Sequence, residues 1–148
     1  MIGISEGFHD AAISVVNAGK IKFAAHAERY SRVKHDKHLN LSVCAEALLH
    51  TEDDVVAFYE RPWLKRTRQL FAGQYKSAFK PRSVYLTPNQ YYSHHLSHAA
   101  AAFQTSPYPE AACVVVDSIG EWDTASIWYA QMVEGCACLL YTSPSPRD

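Results

Sequence analysis

The sequence lacks any long apolar run, which excludes a helix that spans a membrane. In all 148 residues, each apolar run is far shorter than the ~20 residues that such a helix needs. Met1 leads directly into strand-like sequence, without the charged region and apolar core of a signal peptide. The length suits one domain with a buried core and is too short for two.

The sequence also lacks an excess of charge of either sign. It has 14 basic and 15 acidic residues and a net charge of −1 at pH 7. Because a nearly neutral chain creates no global field that attracts polyanions, we expect neither a nucleic acid nor a membrane as a partner.

Cysteine is sparse, and none of the four cysteines forms a Cys-x-x-Cys pair. They are Cys44, Cys113, Cys136 and Cys138. Cys113 lies inside an apolar run, where cysteine behaves as a small hydrophobic residue. This pattern indicates a reducing compartment, and we expect a cytoplasmic protein.

Histidine provides the clearest chemical signal. Ser93 is a favoured helix N-cap, the alanines that follow favour a helix, and Pro107 ends it. His94 and His98 therefore lie four residues apart on one helix face, with Cβ atoms roughly 5–6 Å apart. Two histidines at this spacing can hold one transition metal ion. His95 points about 100° away and cannot share that ion.

A carboxylate follows the next predicted strand. Residues 111–116 form a continuous apolar run, which is typical of a strand that is covered on both faces in a parallel sheet. Asp117 comes at its carboxyl end, where open α/β sheets place ligands. We predict Asp117 as a third metal ligand. The alternative is that the two histidines are an ordinary surface or packed pair.

The N-terminal stretch predicts three strands, at residues 1–5, 11–16 and 20–25, joined by tight turns. In the first turn, Ser5 and Gly7 let the backbone approach a ligand, while His9 and Asp10 add polar side chains. The alternative is an ordinary hairpin turn.

Residues 26–37 then predict a basic helix. On it, Arg32 and Lys34 are candidates to meet a phosphate, and the alternative is a solvated helix face. A second polar turn, at residues 117–124, contains Gly120. It lies between two predicted strands, as the first turn at the N-terminus does. Two such turns could bind the two ends of a phosphate chain.

The middle of the chain predicts structure rather than chemistry. We expect helices at residues 41–50 and from Pro62 onward, a strand at residues 55–59 and a short strand at residues 84–86. The predicted fold class is therefore α/β, with a mixed sheet flanked by helices.

Five segments in this order resemble the N-terminal part of the O-carbamoyltransferases, a family that includes nodulation and antibiotic-tailoring enzymes. The segments are Gly3-Ile-Ser…His9-Asp10-Ala-Ala, Glu28-Arg29-Tyr-Ser-Arg32-Val-Lys34-His35-Asp36, Phe58-Tyr-Glu-Arg-Pro62, His94-His-Leu-Ser-His98-Ala-Ala and Val116-Asp117…Gly120-Glu121-Trp122.

The resemblance implies an actin/Hsp70-like (RNase H-like) ATPase-type fold, related to the metal-binding protein of tRNA threonylcarbamoylation and present here as an incomplete first lobe. It implies that a separate C-terminal YrdC-like domain makes carbamoyl adenylate from carbamoyl phosphate and ATP. The N-terminal domain would then transfer the carbamoyl group to a hydroxyl of a small molecule, a sugar or natural product.

The resemblance also implies roles for individual residues. His94, His98 and Asp117 match ligands of a divalent metal, expected to be Fe2+, which can act as a Lewis acid. His9 and Lys34 match positions near the carbamoyl adenylate. There Lys34 could offset phosphate charge and His9 could accept the hydroxyl proton. With Ser5, Gly7 and Gly120, these two residues form the predicted nucleotide site.

Three departures from the family pattern limit the expected activity. Ser118 stands where the family usually has glycine, the connection before Asp53 is shortened, and the chain ends early. We expect the chain alone to be inactive. Two other functions stay open, a sugar-kinase-like phosphotransferase lobe and a non-catalytic ligand-binding lobe.

The last residues differ from the rest in character. Residues 1–134 are expected to be the N-terminal part of the carbamoyltransferase domain. Residues 135–148 do not alternate between apolar and polar residues as the predicted strands do, and they end in a polar run that contains two prolines. They resemble translated sequencing-adapter read-through, so we expect them not to be native.

The genomic reading frame tests both expectations. Sequencing the locus should show a different continuation after about residue 134 and, further downstream, a YrdC-like domain. A genomic frame that encodes residues 135–148 as printed would contradict the read-through interpretation.

Overall fold

The computed structural model describes residues 1–7, 10–78 and 85–144, and the chain divides into two compact units. Unit 1 comprises Met1–Tyr59 and Phe79–Tyr91, and unit 2 comprises Glu60–Ala78 and Tyr92–Asp148. Within the described ranges, no helix combines the length and the apolar character that crossing a bilayer requires. The cytoplasmic location stays a prediction.

Unit 1 is built on a five-stranded mixed sheet in the order β3-β2-β1-β4-β5. Its strands are β1 (Ile2–Ser5), β2 (Ala12–Asn17), β3 (Lys20–His26), β4 (Val56–Phe58) and β5 (Gln90–Tyr91). The first three strands are antiparallel neighbours, while β4 pairs in parallel with both β1 and β5. The three predicted N-terminal strands and the predicted mixed sheet are therefore confirmed.

A two-residue turn sets the register between β2 and β3. Ala18 and Gly19 both have positive φ angles, 47° and 71°. This is the backbone of a type I′ turn, whose twist matches that of the flanking strands. The turn explains why the predicted strands lie side by side as a hairpin.

The described residues of unit 1 also form two helices, α1 (Glu28–Ser31) and α2 (Leu41–Leu48). The Asn40 side chain caps α2 by accepting a hydrogen bond from the Val43 N–H at 3.1 Å. Of the helix predicted over residues 26–37, only Glu28–Ser31 is helical. His26 still belongs to β3, and Arg32 ends α1 in the left-handed conformation, with φ 61°.

Unit 2 contains a three-stranded antiparallel sheet with α5 packed on one face. Its elements are α3 (Pro62–Phe71), α4 (Tyr75–Ala78), α5 (His94–Gln104), β6 (Glu110–Gly120), β7 (Asp123–Val133) and β8 (Cys136–Pro144). Pro62 starts α3 as predicted. On α5, Ala99 and Phe103 pack against Cys113, Val115 and Trp128 of the sheet.

Three expectations about strands need correction. Residues 111–116 lie in an antiparallel sheet, and the side chains of Val114 and Val116 are exposed, so this run is covered on one face only. Asp117 lies inside β6, which continues to Gly120. The predicted strand at residues 84–86 begins outside the described residues, and Leu86 lies in no strand. The short strand β5 was not predicted.

The tail of the chain takes part in the sheet of unit 2. β8 pairs with β7 along the register Val133↔Cys136 to Ser126↔Pro144. Ala137 and Leu139 pack against the cluster under α5. The boundary at residue 134 and the non-native origin of residues 135–148 stay predictions.

The β2–β3 hairpin of unit 1 contains one buried and one exposed isoleucine, whose replacement should affect stability differently. Ile13 on β2 is 2% exposed, whereas Ile21 on β3 is 67% exposed. Ile13→Ala should lower the free energy of unfolding by about 3 kcal/mol, because it removes buried methyl groups and leaves a cavity. The control Ile21→Ala should change it by no more than about 0.5 kcal/mol. Urea unfolding followed by circular dichroism measures both, and equal losses would contradict this core.

Candidate metal centre

His94 and His98 project from the first turns of α5 because Ser93 fixes where that helix starts. Ser93 has an extended backbone, and its Oγ accepts a hydrogen bond from the Leu96 N–H at 3.3 Å. The predicted Ser93 N-cap is confirmed. The two histidines lie one turn apart, and their ring centroids are 4.7 Å apart.

The side chains of His94, His98 and Asp117 converge. His94 Nε2 lies 2.7 Å from Asp117 Oδ2, and His98 Nε2 lies 3.1 Å from His94 Nε2. One ligand atom from each of the three lies within 4.8 Å of those from the other two. The structure thus brings the three predicted ligands together within unit 2, while their binding of a metal stays a prediction.

The hydrogen-bonding geometry of this trio fits a cation. A neutral imidazole nitrogen offers either an N–H or a lone pair, never both. His94 Nε2 therefore cannot donate to Asp117 and also accept from His98. A cation accepts lone pairs from both Nε2 atoms and from the carboxylate at the same time. Two imidazole nitrogens and one carboxylate oxygen suit Fe2+ or Zn2+.

The local electrostatics favour the protonation states that bind metals. Burial and the nearby charge of His94 lower the pKa of His98, although Asp117 opposes this shift. Burial raises the pKa of Asp117, but the hydrogen bond and charge of His94 outweigh it, so the net pKa is below the ordinary value. Near neutral pH, His98 is therefore a neutral imidazole and Asp117 an anion.

His95 points away from this cluster and into the protein, as its place on the helix predicted. It is 3% exposed, and its Nδ1 lies 2.7 Å from Ser126 Oγ. The indole N–H of Trp128 donates to the same hydroxyl at 2.8 Å. These contacts tie the start of α5 to β7, while His94 ties it to Asp117 on β6. The sequence analysis did not identify Ser126 and Trp128. The only indication was that they lie two residues apart on β7, which places both side chains on the same face of the strand.

The predicted nucleotide-site residues are divided between the two units. Ser5 and Gly7 lie in unit 1 together with Lys34, whereas Gly120 ends β6 in unit 2. His9 lies outside the described residues. Gly7 has a φ of 92°, a left-handed conformation that favours glycine.

Backbone hydrogen bonds join the first turn to the loop that carries Lys34. The Gly7 N–H donates to the Lys37 carbonyl at 2.9 Å, and the Ala11 N–H donates to the Asp36 carbonyl at 2.7 Å. Lys34 itself is exposed. The structure thus unites the first turn with this basic loop, although the loop is not helical as predicted. The roles assigned to Ser5, Gly7, Lys34 and Gly120 stay predictions.

A cluster that sequence reasoning missed lies beside this loop. His35 Nδ1 lies 2.9 Å from Asp10 Oδ1, and the His35 backbone N–H donates to Glu28 Oε2 at 3.1 Å. Asp10 and His35 both have positive φ angles, 51° and 56°. Asp10, Glu28 and His35 all belong to segments that resemble carbamoyltransferases, but the sequence did not predict that their groups meet.

A second missed feature is an ion pair that holds the turn after Asp117. Glu121 is 5% exposed and adopts a φ of 55°. Its carboxylate accepts hydrogen bonds from the Arg61 backbone N–H at 2.5 Å, from Nε at 3.0 Å and from Nη2 at 2.7 Å. Both residues were noted in the sequence only as parts of the segments that resemble carbamoyltransferases. The pair connects the β6–β7 turn to the start of α3.

Comparison with protein families shows which family this chain belongs to. A family model described as the carbamoyltransferase N-terminus matches residues 65–143, more than half of the sequence. The chain belongs to the carbamoyltransferase family. The resemblance seen in the sequence is therefore confirmed, and the matched range includes α5 and β6 with His94, His98 and Asp117.

Two relatives show how much of a family member this chain represents. The uncharacterized protein sll1178 of Synechocystis is 31% identical over 170 residues, which cover 88% of this chain and 27% of the relative. The nodulation protein NolNO of Sinorhizobium fredii is 25% identical over 141 residues, which cover 77% of this chain and 20% of the relative. The chain thus spans about a quarter of the length of the first relative and a fifth of the length of the second.

The Arg61–Glu121 pair leads to a stability prediction. Arg61→Ala should leave the buried Glu121 carboxylate without its partner and cost about 2 kcal/mol, less than a fully buried pair would because the Arg61 side chain is 38% exposed. The matched control is Arg66→Ala within α3, the helix that Arg61 precedes; it removes an exposed arginine and should cost under about 0.5 kcal/mol. Denaturant unfolding measures both changes, and equal effects would show that the pair does not stabilise the turn.

Proposed function

We propose that this chain is the N-terminal part of a metal- and ATP-dependent O-carbamoyltransferase. The observation that carries the proposal is the convergence of His94, His98 and Asp117 in a chain of the carbamoyltransferase family. The proposed reaction moves a carbamoyl group from carbamoyl adenylate to a hydroxyl of a small molecule, a sugar or natural product. It yields the carbamate ester, AMP and a proton.

In the proposed site, His94 and His98 bind a divalent metal, Fe2+, through their Nε2 atoms, and Asp117 binds it through a carboxylate oxygen. When bound, the metal supplies a Lewis acid for a carbonyl, phosphate or hydroxyl oxygen. Asp117 contributes the negative charge that favours the cation. His95, Ser126 and Trp128 hold the start of α5 in place, so that the two ligand rings stay aimed at β6.

The proposed nucleotide-binding residues are described for each unit by itself. In unit 1, Ser5 and Gly7 offer backbone and hydroxyl groups to the phosphate, Lys34 offsets its charge, and His9 accepts the proton of the attacking hydroxyl. Gly120 belongs to the corresponding turn of unit 2. The fold proposed with this site is the actin/Hsp70-like ATPase fold, of which the chain would be an incomplete first lobe.

The proposed pathway requires a domain beyond this chain. A C-terminal YrdC-like domain would join carbamoyl phosphate to ATP and supply the carbamoyl adenylate. The relatives are roughly four to five times longer than the matched region, which leaves room for such a domain. We therefore propose that the 148-residue chain binds metal but does not turn over carbamoyl phosphate by itself.

Two other functions compete with this proposal. A sugar-kinase-like phosphotransferase lobe would use the two polar turns for ATP, but it has no need of two imidazoles and a carboxylate at one point. A non-catalytic ligand-binding lobe would conserve the fold without binding a metal at this cluster. The geometry of His94, His98 and Asp117 favours the carbamoyltransferase over both.

Metal binding by the purified chain tests the proposed centre. His94→Ala and His98→Ala should each weaken the binding of Fe2+ or Zn2+ by at least about 100-fold, since each removes a direct ligand and changes to supporting residues alone cost 10–100-fold. Calorimetry and elemental analysis measure the affinity and the stoichiometry. His50→Ala is the control, because the His50 ring stacks on Phe23 in unit 1. Unchanged metal content in the two variants would favour the non-catalytic lobe.

The reaction itself is tested on the full-length protein. Incubated with ATP, carbamoyl phosphate and an alcohol acceptor, it should release AMP and a carbamoylated product detectable by mass spectrometry. Release of ADP together with a phosphorylated sugar would instead establish the phosphotransferase alternative.

A further inference from the structure

Unit 2 contains a cavity beside the Arg61–Glu121 pair that has no role in the proposed metal centre. Its volume is about 390 Å³, and it is lined by Arg61, Leu64, Glu121, Trp122 and Asp123. Pockets for small molecules typically measure about 300–1,000 Å³ and combine apolar walls with a few polar groups. This cavity has the size and the mixed lining of such a pocket.

One aromatic side chain, that of Trp122, lines the cavity, and it is 43% exposed. Phe71, which is 85% exposed, packs edge-on against the indole, with ring centroids 6.2 Å apart. An exposed aromatic ring of this kind offers an apolar face together with a polar N–H, so it suits a ligand that has both characters.

The charged groups in the lining exclude one class of ligand. The Arg61 guanidinium is already bound by Glu121 through two hydrogen bonds. Asp123 adds a second carboxylate, so the lining holds two carboxylates against one guanidinium. An anionic ligand would meet a net negative lining, which disfavours it. A neutral or cationic ligand meets no such penalty.

Several polar groups in the cavity remain available to a ligand. Within the part of the chain that the structure describes, the indole N–H of Trp122 and the carboxylate of Asp123 form no hydrogen bond. They offer one donor and two acceptor oxygens. The hydroxyl groups of a sugar both donate and accept, while the C–H groups of its ring can pack on the indole face.

The cavity lies close in the chain to the proposed metal centre. Glu121 follows Asp117 by four residues, which span at most about 14 Å even when fully extended. Both residues belong to the same end of the β6–β7 hairpin, where Gly120 pairs with Asp123. The cavity residue Glu121 therefore lies no more than about 14 Å from Asp117 along the chain, a distance that an acceptor larger than one sugar ring can span.

From these observations we infer that the cavity binds a neutral or cationic sugar ring, stacked on Trp122 and hydrogen-bonded to Asp123. The inference rests on the proposed function and deepens it, because this ring would belong to the acceptor that carries the reacting hydroxyl. Arg61 and Glu121 hold the cavity in shape, and Trp122 and Asp123 contact the ligand.

The test uses nuclear magnetic resonance of the 148-residue chain labelled with ¹⁵N. Methyl β-glucoside and glucosamine serve as neutral and cationic probes, and glucose 6-phosphate serves as the anionic one. The first two should shift the indole N–H resonance of Trp122, which Trp122→Phe identifies by its loss. The buried indole of Trp128, bonded to Ser126, should not move and serves as an internal reference.

Two variants test the contact residues. Trp122→Ala should weaken binding of the two sugars about tenfold, whereas Trp122→Phe should retain most of it because a ring remains. Asp123→Asn should weaken glucosamine more than methyl β-glucoside, since it removes a negative charge. Trp63→Ala, which changes another exposed tryptophan on α3 outside the cavity lining, is the matched control.

The outcomes separate this inference from the proposed function. Sugar-induced shifts at Trp122 in a chain that binds neither Fe2+ nor Zn2+ would support the cavity and overturn the metal centre. Zinc binding with no shift at Trp122 from either sugar would overturn the cavity alone. Glucose 6-phosphate binding more tightly than methyl β-glucoside would overturn the assigned ligand class.

Discussion

The convergence of two imidazoles and one carboxylate depends on how α5 packs against the sheet of unit 2. The buried side of α5 carries Ala99 and Phe103, which contact β6 and β7 and place the start of the helix over Asp117. His95 adds a hydrogen bond to Ser126, so the helix start is held from two strands. Without this packing, the spacing of His94 and His98 alone would not bring them to a carboxylate.

The Arg61–Glu121 pair has a related effect on the turn that follows Asp117. A carboxylate that is 5% exposed requires compensation, and three hydrogen bonds from Arg61 provide it. The positive φ of Glu121 is a conformation that costs free energy in a non-glycine residue. The ion pair keeps this conformation in place, and the same turn forms both the end of the proposed metal site and one wall of the sugar cavity.

The sequence correctly predicted most of the helices and strands that are determined by residues close together in the chain. The strand-like residues 11–16, the turn after them and the polar and apolar alternation of residues 20–25 predicted β2 and β3, and Ser93 predicted the start of α5. Errors arose where a distant contact decides the outcome. Arg32 leaves the helical conformation early, so residues 33–37 form a loop whose backbone accepts hydrogen bonds from Gly7 and Ala11. Residues 111–116 resembled a strand covered on both faces, because an apolar run does not reveal how many layers surround it.

For the candidate sites as well, some features follow from the sequence and others only from the tertiary structure. The sequence by itself determined that His94 and His98 share a helix face and that a carboxylate follows on the next strand, because helical and strand spacings are fixed by backbone geometry. Only the tertiary structure decided that Asp117 Oδ2 lies 2.7 Å from His94 Nε2, and that Arg61 meets Glu121 across 60 residues. Such distances follow from the packing of whole elements, which depends on many contacts far apart in the chain rather than on any one segment.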